Sequence, residues 1–431
     1  MDRRTALQTL RNTAASAAAA TTLLAPSALA EDDTAKLQVG LIGGGRGLSV
    51  AREFRSVGME IKTVCDVDDS RRERASRDLK AKSTCTDLRD ILKDDDIQAV
   101  IVATPDHWHV PAALLALQAG KHVYVEKPCS HNIREGRMLV DAAKSSGKIV
   151  QVGTQTRSTP VFRKAIELVH SGAIGEVKMA KAWNSQRRSN IGHEEPSKEP
   201  AGLDYDLWVG PAPKPPYQKN RSHYTWHWWH DFGTGDAGND GVHELDVAVW
   251  GLQVDTHPAR ATGHGTKLYF DDDQQFPDTQ HVTFEYPDQS KDSSKKKILV
   301  FENRIWTPYR EQGFENGVIF YGTDGYLAFE KNGGYKLFGP RNQLREEQSG
   351  TFSTKDHARN FLSAVQGKAK QNAPAAVGHL SATLAHLANI IAKSGLPSLE
   401  FDPEAERITN DQTANELCGR IYREGHWAVP S

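Results

Sequence analysis

The stretch LQVGLIGGGRG, residues 37–47, decides how the first part of the chain folds. Its first six residues form a short apolar run, typical of a strand buried in a parallel sheet. The glycines that follow predict a phosphate-binding turn, because a backbone without Cβ atoms can approach a pyrophosphate closely, although a plain tight turn would also fit. A helix opening near Leu48 would point free N–H groups at that phosphate. The predicted phosphate contacts are Gly43, Gly45, Arg46 and Gly47.

A second predicted strand, 60–65, ends at Asp66, 19 residues after the last of these glycines. A carboxylate at this distance is typical of an adenine dinucleotide site, where it binds the ribose hydroxyls. An acid there repels a 2′-phosphate, so NAD is predicted rather than NADP, although Arg71 and Arg72 follow closely. The alternative is that Asp66 only caps a helix beginning near Asp69.

Polar segments follow two further predicted strands. The strand 99–103 leads into residues 104–109, and the strand 122–125 leads into Glu126-Lys127-Pro128. In an open parallel sheet, ligands bind beyond the carboxyl ends of the strands, so these segments are expected to line one crevice with the glycine-rich turn. The further residues predicted to contact the dinucleotide are Thr104, Pro105, His109, Glu126, Lys127 and Gln155.

The length of the chain indicates two domains. A chain of 431 residues exceeds the size of about 250–300 residues at which a single core stops growing. Strands and helices alternate up to about residue 157, which predicts the α/β class with a Rossmann-like, doubly wound parallel sheet. Later, helical patterns cover 161–171 and 357–392, and strand-like runs lie between them. The predicted limits are an export signal at 1–30, a linker at 31–36, a dinucleotide-binding domain at 37–157 and an α+β domain at 158–431.

The N-terminal segment has the features of an export signal. Arg3 and Arg4 precede an Ala-rich, weakly apolar stretch that ends in an A-x-A cleavage site at Ala30. The paired arginines resemble a twin-arginine signal, with a Sec signal or a helical tail as alternatives. The twin-arginine export machinery is therefore an expected partner, and cleavage near Ala30 would leave the protein periplasmic or otherwise extracytoplasmic. No later stretch approaches the roughly 20 apolar residues of a membrane-spanning helix, so no stable membrane insertion is expected.

Composition argues against several classes of function. The formal net charge is −2, from 53 basic and 55 acidic residues, so no overall field attracts nucleic acid or an anionic membrane. A small neutral substrate fits better. The four cysteines are scattered without a CxxC pair, which argues against a zinc ribbon or a disulfide framework. The basic run KDSSKKK, residues 291–297, lacks interleaved aromatic residues and is predicted to be a solvated hairpin tip.

Residues 221–243 combine aromatic, imidazole and carboxylate side chains. Aromatic faces stack on the C–H surfaces of sugar rings, while His, Asn and Asp hydrogen-bond hydroxyls, so the mixture predicts a carbohydrate pocket. A core aromatic cluster is one alternative, yet three tryptophans within four positions cannot all face one core. Metal binding by His223, His227 and His230 is another. No metal is predicted, because the neighbouring Gly and Trp residues do not favour the helix that would align the imidazoles.

Together these motifs resemble the Gfo/Idh/MocA oxidoreductase family. The resemblance covers the glycine-rich turn and five motifs in order: CDVD (65–68), VIVATPDHWH (100–109), AGKHVYVEKP (119–128), VQVGTQ (150–155) and GVHELD (241–246). It implies an NAD(P)-dependent oxidoreductase whose second domain is built around a large, mostly antiparallel sheet. The free face of that sheet implies a homo-oligomer. The chain departs from the usual GxGxxG spacing, because Gly47 comes one residue early.

The resemblance also implies roles for single residues. Lys127 would be the binding and catalytic residue beside the nicotinamide, Glu126 would orient it, and Pro128 would follow an unusual peptide bond. His243 would contact the reacting hydroxyl. The family's usual acid lies four residues before that histidine, where this chain has Asn239. Lys127 and His243 would then share the proton chemistry.

Two nearby acids, Asp236 and Asp240, could instead reach into the site. The residues predicted to contact substrate are Lys127, Trp226, Trp228, Asp236, Asn239, Asp240 and His243. The predicted catalytic residues are Lys127, His243 and Asn239.

The expected reaction is oxidation of a secondary hydroxyl of a sugar, glycoside or polyol. A base takes the hydroxyl proton while a hydride leaves for the nicotinamide, and a nearby ammonium stabilises the alkoxide. Because free NAD is scarce outside the cytoplasm, an exported enzyme would keep and recycle its cofactor. One alternative is an NAD-dependent glycosidase or lyase working by oxidation and elimination. Another is a sugar-binding or sensor protein without catalysis, which the missing acid at Asn239 favours.

Overall fold

The computed structural model describes residues 36–287, 296–307 and 309–430. The predicted export signal, the linker up to residue 35 and most of the KDSSKKK segment lie outside the described residues.

A six-stranded parallel sheet forms the first layer, in the order β3-β2-β1-β4-β5-β6. This order confirms the predicted doubly wound Rossmann-like sheet. Its strands are β1 Gln38–Ile42, β2 Glu60–Cys65, β3 Ser83–Cys85, β4 Ala99–Val102, β5 His122–Val125 and β6 Val150–Val152. Its helices are α1 Arg46–Ser56, α2 Asp69–Leu79, α3 Leu88–Leu92, α4 His109–Gln118 and α5 Ile133–Ser146.

The central strands of this sheet are apolar because both of their faces are covered. Every residue of β4 is buried, as is every residue of β1 after Gln38, the pattern expected of strands between two helical layers. Helix α2 is capped by Asp68, whose side chain accepts a hydrogen bond from the Arg71 N–H at 3.0 Å. The alternative that Asp66 caps this helix is therefore wrong.

A ten-stranded sheet forms the second layer, in the order β14-β13-β12-β11-β7-β10-β9-β8-β15-β16. Only β7 and β10 pair in parallel, so the sheet is mostly antiparallel, as expected. The strands are β7 Val177–Ser185, β8 Arg260–Thr266, β9 Thr279–Tyr286, β10 Lys297–Arg304, β11 Asn316–Gly322, β12 Gly325–Glu330, β13 Gly334–Phe338, β14 Leu344–Gln348, β15 Ser398–Asp402 and β16 Arg407–Ile408. The helices are α6 Pro160–His170, α7 Tyr205–Val209, α8 Val242–Leu252, α9 Thr354–Val365, α10 Ala375–Ser394 and α11 Gln412–Glu416.

The C-terminal helices differ from the prediction. The single helical segment 357–392 is two helices, α9 and α10, and the break between them contains Gly367 in a left-handed conformation (φ 70°) and Pro374. Phe361 of α9 packs in the core of the first layer, with its ring centroid 5.4 Å from that of Phe54. The later part of the chain thus helps to close the first domain.

Helix α10 is also the one described helix long and apolar enough, by length and composition, to cross a membrane. The expectation that no stretch after the N-terminus approaches this composition is therefore wrong. Since 72% of its most apolar 18-residue stretch is buried within the protein, α10 is apolar in the way that a core helix is.

Two local features shape the region near the first layer. One is the short helix α7 at Tyr205–Val209. Residues Ala237–Gly241 form a π-helical turn that runs directly into α8. Such turns occur mostly as single turns and often at functional sites.

Candidate active site

A cleft of about 550 Å³ lies at the carboxyl ends of β1, β2, β4 and β5. The predicted site residues that line it are Gly43, Gly45, Arg46, Asp66, Thr104, Pro105, His109, Glu126, Lys127, Trp226 and Asn239. The predicted residues outside its lining are Gly47, Gln155, Trp228, Asp236, Asp240 and His243.

The glycine-rich turn has the shape of a phosphate cradle. Gly43 has φ 98°, and a Cβ atom there would lie 2.4 Å from the Ala103 carbonyl oxygen, so only glycine fits. Helix α1 begins at Arg46 without a side-chain cap, which leaves N–H groups facing the cleft. Gly47 instead lets α1 approach the sheet, since a Cβ there would lie 2.7 Å from Leu41 Cδ1. These features fit a dinucleotide pyrophosphate.

Asp66 stands where a ribose-binding carboxylate is needed. Its Oδ2 accepts a hydrogen bond from the Gly44 N–H at 2.7 Å, and its Oδ1 accepts one from the Asp68 N–H at 2.9 Å. Burial raises the pKa of Asp66, although these two hydrogen bonds oppose the shift. Arg71 also lines the cleft, whereas Arg72 pairs with Asp69 at 2.6 Å.

The cleft lining includes residues that sequence reasoning missed, Trp108 and Trp427. Trp427, near the C-terminus, lies with its ring 5.8 Å from that of Trp108, and the Arg89 guanidinium lies 4.3 Å over the Trp427 ring. No local motif marks Trp427, because its position depends on the tail folding back onto the first layer.

The segment after β5 is held from several sides. The Lys127–Pro128 peptide bond is cis, in agreement with the resemblance. His109 shares a hydrogen bond of 2.7 Å with the Pro128 carbonyl. Glu126 is buried, and Gln155 donates to its Oε1 at 3.1 Å. Gln155 therefore supports Glu126 from behind the cleft rather than lining it.

Lys127 and Asn239 meet at the other end of the cleft. Lys127 Nζ donates a hydrogen bond to the backbone carbonyl of Asn239. The Asn239 side chain donates to Asp236 Oδ1 at 3.2 Å. Asp236 is buried and also pairs with Arg188 at 2.8 Å. Asn239, at the position of the expected acid, thus donates a hydrogen bond to the Asp236 carboxylate, which already pairs with Arg188.

Asp240 belongs to a charged cluster that it forms with Arg188, Lys331 and Glu244. Its carboxylate pairs with Lys331 at 2.6 Å and with Arg188 at 3.2 Å, and these cations hold its pKa well below the usual range. Lys331 also contacts Glu244 at 3.0 Å. Burial raises the pKa of Glu244 to about 8, and the nearby Asp240 carboxylate adds to the shift. Asp236 and Asp240 are thus both paired with cations, Asp236 with Arg188 and Asp240 with Lys331 and Arg188.

His243 lies close to Lys127 and Lys331, outside the cleft lining. Burial, together with these two ammonium groups, lowers its pKa well below the ordinary value, so the imidazole is neutral at physiological pH. Its Nδ1 atom is buried and makes no hydrogen bond with the described residues.

The aromatic segment divides between the cleft and the core. Trp226 and Tyr224 line the cleft. Trp228 is 2% exposed and packs in an apolar cluster, because the 3₁₀ turn at Thr225–Trp228 directs it inward. The prediction that Trp228 contacts substrate is therefore wrong. His223 pairs with Asp68 at 3.0 Å. His223, His227 and His230 do not form a metal-ligand cluster among the described residues.

Comparisons with known proteins agree with this architecture. The NAD-binding Rossmann-fold model of the Gfo/Idh/MocA oxidoreductase family matches residues 37–154, and the model of its C-terminal alpha/beta domain matches residues 177–291. Together they cover more than half of the chain.

Curated relatives match over shorter stretches. A levoglucosan dehydrogenase of Pseudarthrobacter phenanthrenivorans is 31% identical over 151 residues, which are 33% of this chain and 39% of the relative. A glycosyl hydrolase family 109 protein of Shewanella baltica is 33% identical over 152 residues, which are 33% of each chain. The matched regions thus span well under two thirds of these relatives.

Solved structures match over a larger part of the chain. A levoglucosan dehydrogenase in complex with NADH and levoglucosan superposes with a TM-score of 0.65 at 17% identity, covering 85% of this chain and 99% of that one. The WlbA dehydrogenase of Bordetella pertussis, in complex with NADH and UDP-GlcNAcA, superposes with a TM-score of 0.63 at 17% identity, again covering 85% of this chain and 99% of that one. At this identity the likeness shows the shared fold. From the two domain models, the chain belongs to the Gfo/Idh/MocA oxidoreductase family and contains its NAD-binding Rossmann domain.

Proposed function

We propose that this protein is an NAD-dependent oxidoreductase that acts on a secondary hydroxyl of a sugar, a glycoside or a polyol. The observation that carries the proposal is that one cleft joins the glycine-rich turn and Asp66 at one end to Lys127 and Asn239 at the other. The names of the relatives and of the superposed structures, which refer to levoglucosan and to a sugar nucleotide, support a carbohydrate substrate.

The dinucleotide would supply a hydride acceptor. The residues of this chain must then hold the hydroxyl and move its proton. Lys127 is the group placed to do so, and its Nζ atom can stabilise negative charge on the substrate oxygen. The neutral His243 lies outside the cleft lining and, with its lowered pKa, is a weak base. Asn239 offers an amide where the family has an acid.

The test begins with the protein from residue 31 onward. Any nucleotide that co-purifies is identified by mass spectrometry, and glycosides and polyols are screened for the absorbance of newly formed NADH. Lys127→Ala should lower kcat about 10²–10⁴-fold, the usual contribution of an acid–base group, with NADH affinity close to that of the wild type. Lys144→Ala, an exposed lysine on α5, is the matched control. Failure to bind NAD(H), or unchanged turnover of Lys127→Ala, would refute the assignment.

A redox-neutral glycosidase or lyase is the second candidate. The glycosyl hydrolase family 109 relatives favour it. In that reaction a transient oxidation of the sugar would acidify a neighbouring C–H bond, and elimination would expel the aglycone. Water would then add to the double bond, and return of the hydride to the keto group would leave no net oxidation. A stoichiometric keto-sugar identifies the oxidoreductase, whereas a cleaved glycoside without net NADH identifies the glycosidase.

Export is a further part of the proposal. The paired Arg3 and Arg4 and the cleavage site at Ala30 support a twin-arginine route, by which a folded protein would carry its NAD outside the cytoplasm. N-terminal sequencing of the mature protein should find Glu31 first. A cytoplasmic, uncleaved product would refute export.

A further inference from the structure

Three buried side chains of ligand type converge outside the cleft. His257 precedes β8, His379 lies on α10, and Glu406 lies in the turn between β15 and β16. Their side chains are 4%, 2% and 6% exposed. One nitrogen from each imidazole and one oxygen of the carboxylate all lie within 4.8 Å of one another. Residues from three separate elements therefore present metal-ligand atoms to one point.

The spacing of these atoms suits a divalent ion. His257 Nε2 lies 3.0 Å from Glu406 Oε1, and His379 Nε2 lies 2.8 Å from Oε2. Two ligand atoms bound to zinc at about 2.05 Å in tetrahedral geometry lie about 3.3 Å apart. A small expansion would therefore seat an ion. The two imidazole rings are inclined at 74°, so they approach the carboxylate from different directions instead of stacking.

The surroundings hold the three groups in place. Glu406 has a left-handed backbone (φ 50°), a conformation that residues other than glycine rarely adopt. The turn is thus held in a shape that presents its carboxylate inward. The Arg137 guanidinium donates to Glu406 Oε1 through Nε at 3.1 Å and through Nη2. Its Nη1 lies 3.6 Å from Asp141 Oδ1, so the two carboxylates share its charge. His379 Nδ1 lies 3.5 Å from Thr383 Oγ1, an outer contact of the kind that orients metal-binding histidines.

We propose that His257, His379 and Glu406 bind a divalent transition-metal ion with a structural role. Two imidazoles and one carboxylate favour zinc among the common ions. The ion would join the β15–β16 hairpin to α10 and to the segment before β8. Water completes the coordination, since the cluster holds no fourth His, Cys, Asp or Glu among the described residues.

The test uses the full-length protein, purified without chelators and analysed for metals by plasma mass spectrometry. About one zinc per chain is expected, and its removal with dipicolinate should lower Tm, with recovery on adding one equivalent of zinc. Adding Co²⁺ to the metal-free protein should give visible absorption bands of a site with nitrogen and oxygen ligands. His257→Gln should weaken zinc binding by more than the roughly 10–100-fold typical of losing an outer-shell partner.

Glu400→Gln is the matched control, because Glu400 lies on the same hairpin and pairs with Arg260 at the surface. It should bind zinc as the wild type does. Without an ion, the same contacts are two hydrogen bonds from imidazoles to a carboxylate. The proposal is overturned if the metal-free wild type takes up neither zinc nor cobalt, or if His257→Gln retains zinc. Either result would show that the three side chains only form hydrogen bonds with one another. The cobalt spectrum of the wild type decides the matter even if the variant fails to fold.

Discussion

Replacing Glu244 by glutamine should stabilise the protein at alkaline pH and have little effect at acid pH. Lys331 is a single buried cation between two acids, 2.6 Å from Asp240 and 3.0 Å from Glu244. Lys331 and Arg188 keep Asp240 ionised, whereas burial and the nearby Asp240 carboxylate raise the pKa of Glu244 to about 8. The Glu244→Gln variant would keep a carbonyl oxygen for the Lys331 ammonium while removing the ionisation.

The magnitude follows from the shift in pKa. An unfolded Glu ionises near pH 4.3, and each unit of difference is worth about 1.4 kcal/mol. At Glu244 the folded protein binds more protons than the unfolded chain between about pH 4.3 and pH 8, so the contribution of this residue to wild-type stability falls as pH rises through this window. The full loss is about 5 kcal/mol as an upper value, and about 2 kcal/mol has accrued by pH 6. The Glu244→Gln variant does not lose this stability, because glutamine does not ionise.

The assay is thermal unfolding of both proteins at pH 5 and pH 8. The Tm of the variant minus that of the wild type should increase by at least about 3 °C over this range, given that long chains shift by fewer degrees per kcal/mol than small domains. Glu424→Gln, at an exposed position without an ion pair among the described residues, should show no such trend. A difference that is flat with pH, or that becomes negative at pH 8, would refute the raised pKa of Glu244.

Three further predictions concern the first layer. Asp66→Ser should weaken NADH binding about 10–100-fold, because a hydrogen bond to a carboxylate is worth about 1.5–3 kcal/mol. The substitution should weaken NADPH binding less. A fluorescence titration that shows equal losses of affinity for the two nucleotides would contradict this. Gly43→Ala should reduce NADH affinity at least as much, since its Cβ would lie 2.4 Å from the Ala103 carbonyl oxygen, and unchanged affinity would show that the turn can shift. Wild-type Tm should fall as the pH drops from about 6.5 to 4. Burial lowers the pKa of His107 to about 3 and that of His357 to about 4, so over this range the unfolded chain binds more protons than the folded protein. A flat Tm over this range would contradict the prediction.

The parts of the fold that follow from local pattern were predictable from the sequence. The predicted strands 60–65 and 122–125 have the same limits in the structure, because a short apolar run closed by polar residues is what a doubly covered strand requires. The cleft was predictable for the same reason, since parallel strands bring the residues that follow them to one edge.

The charged cluster was not predictable in this way. Arg188 and Lys331 reach the π-helical turn through contacts between residues far apart in sequence, and neither lies in a motif. Arg188 does follow the carboxyl end of β7, which is the one sequence signal that could have marked it. Trp228 was misassigned because helical or strand periodicity gives no guide within a single 3₁₀ turn.

The π-helical turn at Ala237–Gly241 has a consequence for how the site can change in evolution. A π turn holds one residue more than an α turn, so it can arise by insertion of a single residue and be removed by a single deletion. Such a deletion would restore a regular helix and rotate the residues of the turn, Asn239 included, relative to His243. Loss or gain of one codon could therefore change which residue presents its backbone carbonyl to Lys127 without any substitution.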